Sequence, residues 1–288
     1  TARTRTEPRP ADPSKIQLIW SSDDNPLRRA QLAPFNELYP KYHLQLDPNN
    51  AEMEKVIVQS LAGVGPDLFD CYSGFDLSAF VKAGVAWDVT DELKKMGIDV
   101  RKDCWRSVLP CAIYNGRVYG CPVNAAANAM WFHKDILEQA GIALPTGPWT
   151  WQQAVPLLRR LVKKDARGRT IRYGLVFDWD NNYLQFIYQW GGRMYTPDGT
   201  RCTLDSPQCI AAIQFMQDLV KEGIVPDASA EMTMAAAGGY GGASVITLFG
   251  AKRSACALGG RWWLSLLRRP DYRNLSLGAV ESPYGVVH

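Results

Sequence analysis

Residues 55–70, KVIVQSLAGVGPDLFD, place a helix and a strand in immediate succession. Val56, Ile57 and Leu61 have the spacing of one helical face, and the helix is expected to stop at Gly63. A Gly-Pro-Asp turn follows and leads into an apolar run with the length of a strand. This stretch therefore predicts the helix-to-strand half of an α/β unit.

The same alternation extends over both halves of the chain. We predict strands at 16–20, 42–47 and 67–71, a hairpin at 111–121, a change from extended to helical within 128–141, and helices at 27–39, 51–63, 76–84, 150–164 and 206–223. Pro34 is expected to kink or end its helix. The last helix is expected to bury a stripe formed by Ile210, Ile213, Met216 and Val220. This order favours two α/β lobes, each with a largely parallel sheet.

The composition is that of a folded globular protein. The 288 residues are 47% hydrophobic and 21% charged. The formal net charge of +3 gives no reason to expect nucleic acid or an anionic membrane as a partner. No apolar stretch reaches the roughly 20 residues of a membrane-spanning helix. Residues 1–14 are rich in arginine and proline and are expected to be a flexible lead-in.

Seven cysteines leave at least one without a disulfide partner, and no Cys-x-x-Cys motif is present. The Asn-Gly pair at 115–116 predicts a type I′ hairpin turn, which puts Cys111 and Cys121 one position out of register and on opposite faces. Cys202 and Cys209 are better candidates for a disulfide. The alternative is that they are free thiols, of which some are buried.

Four stretches together resemble a known family. They are residues 55–70 continued by 80–93, residues 115–145, residues 149–161, and residues 248–263, LFGAKRSACALGGRWW. In this order they are similar to the extracellular solute-binding proteins of ABC importers, in the sugar-binding group that includes maltose-binding protein. The likeness covers nearly the whole chain, although Cys256 replaces a methionine and family members normally continue beyond the last residues of this sequence.

The resemblance implies a two-lobed periplasmic-binding-protein-like fold with the ligand cleft between the lobes. The first lobe would comprise residues 15–123, rejoined by 281–288, and the second would comprise residues 124–280. It also implies a small solute, in the first place a sugar, that is bound and then presented to the transmembrane subunits of an importer. The protein would be a monomer that uses no cofactor or metal. It would lie outside the cytoplasm, in the periplasm or at the outer face of the membrane, with a lipid anchor as an option in the full precursor.

By this resemblance, polar residues after the strands of the first lobe contact the solute. Asp23 and Asp24 follow the first strand, and Asp70, Tyr72 and Ser73 follow the third. Carboxylates suit the hydroxyls of a sugar, and aromatic rings suit its C–H faces. The alternative is that Asp24 or Asn25 caps the helix that follows the first strand.

In the second lobe, the resemblance implies contacts from Asn124, from Trp179 with Asp180, and from Gly260 with Trp262. Gly260 would let the backbone approach the solute, and Trp262 would stack on it. The tryptophan after Trp262 is expected in the core, because adjacent side chains point in different directions. The alternatives are that Trp262 packs on the helix that begins there, and that Asp180 or Asn181 caps a helix whose end Trp179 covers.

Three other functions are alternatives to sugar binding. A glycoside hydrolase also combines carboxylates with tryptophans, but no spacing here singles out an acid and base pair. His43, His133 and His288 are scattered, and the glycine-rich residues 238–242 lack the lysine of a phosphate-binding loop. The same fold with a non-sugar solute, such as a glycerophosphodiester, a polyamine or a peptide fragment, is the stronger alternative, with Arg261 as one contact. A sensor that has kept the lobes but not transport is the third.

Overall fold

The chain forms two compact units, Thr1–Ala125 and Ala126–His288. The structure, a computed structural model, describes residues 14–50, 52–125, 127–196, 200–227, 229–231, 244–268, 270–272 and 274–286. The predicted lead-in and the glycine-rich residues 238–242 lie outside these ranges.

A three-stranded parallel sheet organises the first unit. Its strands are ordered β2-β1-β3, and Ser21 at the end of β1 pairs with Asp47 and with Phe69. The described elements, in chain order, are β1 (Ile16–Ser21), α1 (Pro26–Leu38), β2 (Tyr42–Asp47), α2 (Met53–Leu61), β3 (Leu68–Phe69), α3 (Gly74–Lys82), α4 (Thr90–Lys95), α5 (Val100–Asp103), β4 (Ile113–Tyr114) and β5 (Arg117–Val118). The predicted alternation of strand and helix is confirmed here.

Two details of the first unit bear on the predictions. The helix α1 runs through Pro34 to Leu38, so of the two expected effects of this proline, ending the helix does not occur. In α2, Val56 is buried, but Leu61 at the last residue of the helix is exposed, so the predicted apolar face is wrong at that end. A helix of nine residues reaches the core with only part of its length, and its last turn lies outside it.

The hairpin formed by β4 and β5 follows the predicted register. Ile113 pairs with Val118, and residues 115 and 116 both have positive φ, as a type I′ turn requires. Cys111 and Cys121 flank this hairpin and are not bonded to each other.

A five-stranded sheet, ordered β10-β6-β9-β8-β7, organises the second unit. The described elements are β6 (Asn128–His133), α6 (Lys134–Gln139), α7 (Trp151–Leu161), β7 (Lys163–Lys164), β8 (Thr170–Phe177), α8 (Trp179–Gln189), α9 (Pro207–Lys221), α10 (Ser244–Gly250), β9 (Ser254–Gly260), α11 (Leu264–Leu267) and β10 (Leu277–Val280). Only β8 and β9 pair in parallel, so this sheet is mixed rather than mostly parallel. The reason is that β6 begins at the edge where β8 and β9 end.

The helix α9 buries a different face from the one predicted. Its N-cap is Ser206, as expected, but the buried residues are Cys209, Ala212, Met216 and Leu219. Ile210 and Ile213 are exposed, so the predicted stripe is wrong for them. A small side chain, that of Cys209, faces inward at the start of α9 because the helix lies very close to the backbone at Gly192. A Cβ placed on Gly192 would be 2.7 Å from Sγ of Cys209.

The last described residues, up to Val286, bond within the second unit. Nε1 of Trp149 donates to the carbonyl of Glu281 at 2.7 Å, Tyr284 forms a parallel bridge with Thr150, and the amide of Val286 donates to the carbonyl of Gln189 at 2.8 Å. We expected residues 281–288 to rejoin the first lobe. The observed bonds instead attach the described part of this stretch to the second unit.

All seven cysteines are free thiols in the structure. Cys202 is exposed, whereas Cys209 is buried and its thiol donates to the carbonyl of Arg193 at 3.3 Å. The proposed bridge between Cys202 and Cys209 is therefore not formed. The inward orientation of Cys209, which comes from the face that α9 buries, separates the two thiols.

Candidate functional site

The three strands of the first unit end at one edge of their sheet, because they are parallel and in register. The residues that follow these strand ends include Ser22 and Asp23 after β1, and Asp70 and Tyr72 after β3. Open α/β sheets bind ligands outside the carboxyl ends of their strands. This edge is therefore the candidate site of the first unit.

Asp70 is the centre of a hydrogen-bonded cluster at this edge. Its Oδ1 accepts from Nε1 of Trp20 at 3.1 Å. Its Oδ2 accepts from the hydroxyl of Tyr72 at 2.6 Å and from Nη2 of Arg28 at 3.1 Å. The hydroxyl of Ser22 also donates to Oδ2. We call these five residues the Asp70 cluster. Both carboxylate oxygens are bonded to protein donors, and contact of Asp70 with a solute stays a prediction.

Tyr72 is the exposed member of the Asp70 cluster, with 61% of its surface accessible. Its hydroxyl oxygen lies 3.5 Å from Oδ2 of Asp23, which is too long for an O–H···O hydrogen bond. The pKa of the hydroxyl is raised by burial of its polar end and by its bond to Asp70. Burial is the larger of these two causes, and a side-chain hydrogen bond with Arg28 opposes the rise. Tyr72 and Asp23 thus offer an aromatic face and oxygen atoms to a ligand.

The two other predicted residues of this edge are already bonded. Both carboxylate oxygens of Asp24 accept from Arg29, at 2.6 Å each, and these hydrogen bonds hold the pKa of Asp24 below its usual value. The hydroxyl of Ser73 accepts from the amide of Asp76 at 3.0 Å and caps α3. Of the two residues expected to cap the helix after the first strand, Asn25 is the N-cap of α1. That Asp24 and Ser73 contact a solute stays a prediction.

In the second unit, β8 and β9 end where β6 begins. Asn128, the first residue of β6, pairs with Gly260, the last residue of β9. Trp262 follows Gly260 in a short 3₁₀ turn, and α8 begins just after β8. These elements place Asn128, Gly260 and Trp262 at the same edge of the sheet.

The two adjacent tryptophans have different environments. Trp263 is 3% exposed and lies in an apolar cluster with Phe249, which confirms its predicted place in the core. Trp262 is 48% exposed. A Cβ added to Gly260 would overlap the ring of Trp262. The ring of Trp262 therefore occupies the place that a side chain at Gly260 would take. Gly260 was expected to let a solute approach the backbone. This stays a prediction, and the position of the Trp262 ring argues against it.

Amide side chains surround this edge of the second unit. The side-chain nitrogen of Asn128 lies 3.5 Å from Oε1 of Gln185, and the side-chain amide of Asn182 donates to the same oxygen at 3.3 Å. They border a shallow pocket of about 540 Å³, which is lined by Asn128, Gln185, Tyr188, Gln189, Glu281, Ser282 and Tyr284.

The sequence reasoning missed these pocket residues. The spacing of Gln185, Tyr188 and Gln189 puts them on one face of α8, and that polar face was the signal available.

The remaining predicted residues are less informative. Asn124 is exposed in the loop before the second unit, and Trp179 and Asp180 begin α8, but the side chains of these two lie outside the described part of the structure.

Comparison with protein families identifies the chain. The profile of the family described as bacterial extracellular solute-binding protein matches residues 20–266, which is most of the sequence. The chain belongs to this family. A binding protein from Brucella abortus (strain 2308) is 24% identical to this solute-binding protein over 186 residues, 63% of this chain and 43% of its own length.

Two further relatives differ in what they bind. The sn-glycerol-3-phosphate-binding periplasmic protein of Agrobacterium fabrum is 24% identical over 163 residues, 54% of this chain and 36% of its own. The structure of an ABC substrate-binding protein from Listeria monocytogenes in complex with cycloalternan has a TM-score of 0.76 at 20% identity, with 94% of this chain and 67% of that chain covered. This likeness shows the two-lobed fold. The chain spans less than half the length of the curated relatives it matches.

Two further findings concern the described residues. No group of three or more histidine, cysteine, aspartate or glutamate side chains is arranged to hold a metal ion. No described helix combines the length and the apolar character needed to cross a membrane.

Proposed function

We propose that this solute-binding protein captures a mono- or oligosaccharide outside the cytoplasm and delivers it to the transmembrane subunits of an ABC importer. One observation carries the proposal: each unit presents an exposed aromatic ring beside hydrogen-bonding side chains at the carboxyl ends of its strands. Tyr72 and Asp23 form this pair in the first unit; in the second, Trp262 follows Gly260, whose backbone pairs with Asn128 at the same edge of the sheet. Rings and polar groups in this combination suit the faces and hydroxyls of a sugar.

The affinity expected of such a protein requires several contacts. Micromolar binding corresponds to about 8 kcal/mol, whereas one hydrogen bond nets about 0.5–1.5 kcal/mol. We therefore propose that the surfaces of both units contribute to one bound solute, as the two-lobed family resemblance implies.

The remaining parts of the proposal concern setting and partners. Relatives are extracellular or periplasmic binding proteins, which supports a place in the periplasm or at the outer face of the membrane, with or without a lipid anchor. The protein would act as a monomer, without catalysis, cofactor or nucleic acid. Its family consists of solute-binding proteins, which supports a role in binding alone.

A glycerophosphodiester is the second candidate solute. Arg261 is exposed and immediately precedes Trp262, so a cation is available beside the exposed ring. The Agrobacterium fabrum relative, named for binding sn-glycerol 3-phosphate, favours this candidate too.

A ligand panel separates the two candidates. Neutral mono- and oligosaccharides, glycerol 3-phosphate, glycerophosphocholine and spermidine are added to the chain, and thermal shift and tryptophan fluorescence are recorded. A ligand present at 100 times its dissociation constant stabilises the folded state by about 2.7 kcal/mol, which is readily measured. We expect neutral sugars to raise the melting temperature. Stabilisation by phosphates or spermidine alone would reject the sugar, and any conversion of a glycoside in the same samples would reject a role in binding alone.

A further inference from the structure

The hydroxyl proton of Tyr72 has one acceptor within hydrogen-bonding range. Oδ2 of Asp70 is 2.6 Å from the phenolic oxygen, whereas Oδ2 of Asp23 is 3.5 Å away. The proton therefore points to Asp70. Toward solvent, the phenolic oxygen keeps only lone pairs, so Tyr72 can accept a hydrogen bond there but cannot donate one.

Asp23 beside it is also an acceptor. Its carboxylate is exposed, and an ionised carboxylate has no proton to donate. Two acceptor oxygens from Tyr72 and Asp23 thus lie 3.5 Å apart at the surface. A donor group placed between them can bond to either oxygen, whereas an acceptor group placed there would find no proton on either oxygen to accept.

The cations near this surface are committed to other carboxylates. Arg28 is 6% exposed and bonds to Asp70 at 3.1 Å and to Oε1 of Gln31 at 3.3 Å. Its guanidinium group also lies 4.8 Å from the centre of the Trp20 ring. Arg29 bonds to both oxygens of Asp24. Of the two arginines of α1, neither is therefore available to neutralise an anionic solute.

We propose that Asp70 fixes Tyr72 as a hydrogen-bond acceptor, so that the first unit selects solutes that donate hydrogen bonds and disfavours phosphate and carboxylate groups. The inference rests on the proposed solute-binding function and deepens it. Asp70 is a positioning residue, and Tyr72 and Asp23 are the contacts. The selected group is a hydroxyl of a polyol or the ammonium group of an amine, because both donate. An anionic oxygen would lose its hydration without gaining a donor.

Two substitutions test this selectivity. Tyr72→Phe removes the acceptor oxygen and keeps the ring, and Asp23→Asn replaces a charged acceptor with an amide that can donate. Each is expected to weaken binding of a neutral sugar about three- to tenfold, and Asp23→Asn is expected to raise the affinity for glycerol 3-phosphate. Tyr39→Phe and Glu54→Gln are the matched controls, since they make the same chemical changes at exposed positions of the first unit. They are expected to leave affinity unchanged.

The panel distinguishes the sources of the donor. Tighter binding of sugars than of spermidine assigns the donor to a hydroxyl, and the reverse assigns it to an ammonium group. Either result supports selection of a donor. The contrary result is that the unmodified chain binds glycerol 3-phosphate more tightly than it binds sugars or spermidine, and that Tyr72→Phe or Asp23→Asn weakens this binding. That result would place an anion at these oxygens. It would overturn the proposed selectivity but not the solute-binding function.

A measurement without ligand tests the positioning role of Asp70. The tyrosinate absorbance of the unmodified chain minus that of Tyr72→Phe reports Tyr72 alone during alkaline titration. We expect Tyr72 to ionise at higher pH than N-acetyltyrosinamide, because burial and the hydrogen bond to Asp70 both stabilise the protonated hydroxyl. Asp70→Asn should lower this ionisation pH. That variant leaves Arg28 buried without its carboxylate and can unfold, so the titration of the unmodified chain decides.

Failure of the two proposals can be told apart. If Tyr72 ionises at the same pH as N-acetyltyrosinamide or at a lower pH, the proposal that Asp70 holds the Tyr72 proton is overturned, whatever the chain binds. If no compound in the panel binds, the proposed function and the selectivity are both rejected, and the orientation of the Tyr72 proton is still decided by the titration.

Discussion

The ring of Trp262 lies directly over the Cα atom of Gly260. A Cβ on Gly260 would overlap this ring, and one on Gly259 would overlap the ring of Trp263. The two glycines thus make room for the two tryptophans that follow them, one ring exposed and the other buried. A strand turns successive residues to opposite faces, so this pairing sends the two rings to opposite sides of β9.

Alanine at these two glycines should therefore have different effects. Gly260 has φ −90° and ψ 167°, which alanine adopts without strain, so Gly260→Ala should mainly displace the ring of Trp262. We expect about a tenfold loss of sugar affinity and less than about 1 kcal/mol loss of stability. Gly259→Ala should overpack the core against Trp263 and cost about 1–3 kcal/mol. Denaturant unfolding and titration calorimetry measure both quantities, and equal stability losses would contradict the assignment of the two rings.

The face that α9 buries can be tested by a matched pair. Ile213→Ser changes an exposed residue and should alter the free energy of unfolding by less than about 0.5 kcal/mol. Met216→Ala empties a buried position and should cost about 2–5 kcal/mol. Urea unfolding of the two variants gives the comparison. A larger loss for Ile213→Ser would restore the face that the sequence predicted.

His133 should make the second unit sensitive to acid. Its ring is fully buried, and Nε2 is 2.7 Å from the carbonyl of Phe249, while Nδ1 has no hydrogen-bond partner in the described structure. Burial lowers the pKa of His133 below its ordinary value of 6.5. The unfolded chain therefore takes up a proton at higher pH than the folded chain does. The contribution of neutral His133 to the free energy of unfolding is fully present above pH 6.5 and is lost as the pH decreases below it.

The contribution of His133 is isolated by difference. The free energy of unfolding is measured against pH for the unmodified chain and for His133→Gln, and carboxylates contribute similarly to both. The unmodified chain should lose more stability between neutral and mildly acidic pH. Parallel curves would show that His133 is not kept neutral by the fold.

The thiols should differ in reactivity according to burial. Cys202 is exposed and should be alkylated in the folded protein. Cys209 and Cys256 are buried, and burial raises the pKa of Cys256 well above its usual value, so both should react only after unfolding. Burial also raises the pKa of Cys71 to about 12, which should slow its reaction. Mass spectrometry of alkylated peptides measures each site, and a peptide linking Cys202 to Cys209 would contradict the free thiols.

The fold was largely predictable because its signals are local. The strand at 42–47 has the predicted bounds, the hairpin turn has its predicted type, and Trp263 lies in the core. The sequence could not provide the direction of each strand in its sheet or the face that each helix buries. The antiparallel path of β6 and the inward side of α9 depend on which neighbours each element meets, and spacing along the chain does not contain that information.

The candidate site was predictable in place but not in detail. Resemblance located the strand ends, and the structure brings Asp23, Asp70 and Tyr72 together there. The resemblance could not show that Asp70 is already bonded to four side chains. Three of these donors come from β1, α1 and the turn between them, which are distant from Asp70 in the sequence. The pocket at Gln185 was missed for a related reason: a polar helix face is common on surfaces, and only tertiary contacts single this one out.

Binding of one sugar by both units is the central claim, and calorimetric titration of two variants tests it most directly. Tyr72→Ala changes the first unit and Trp262→Ala the second, with Tyr195→Ala as the control, because Tyr195 is a similarly exposed ring, at 47%, in the second unit. The account predicts that each of the first two weakens binding of the same sugar at least about tenfold, with melting temperatures of the unliganded protein nearly unchanged and with the control unaffected. Full affinity in either Tyr72→Ala or Trp262→Ala would contradict it.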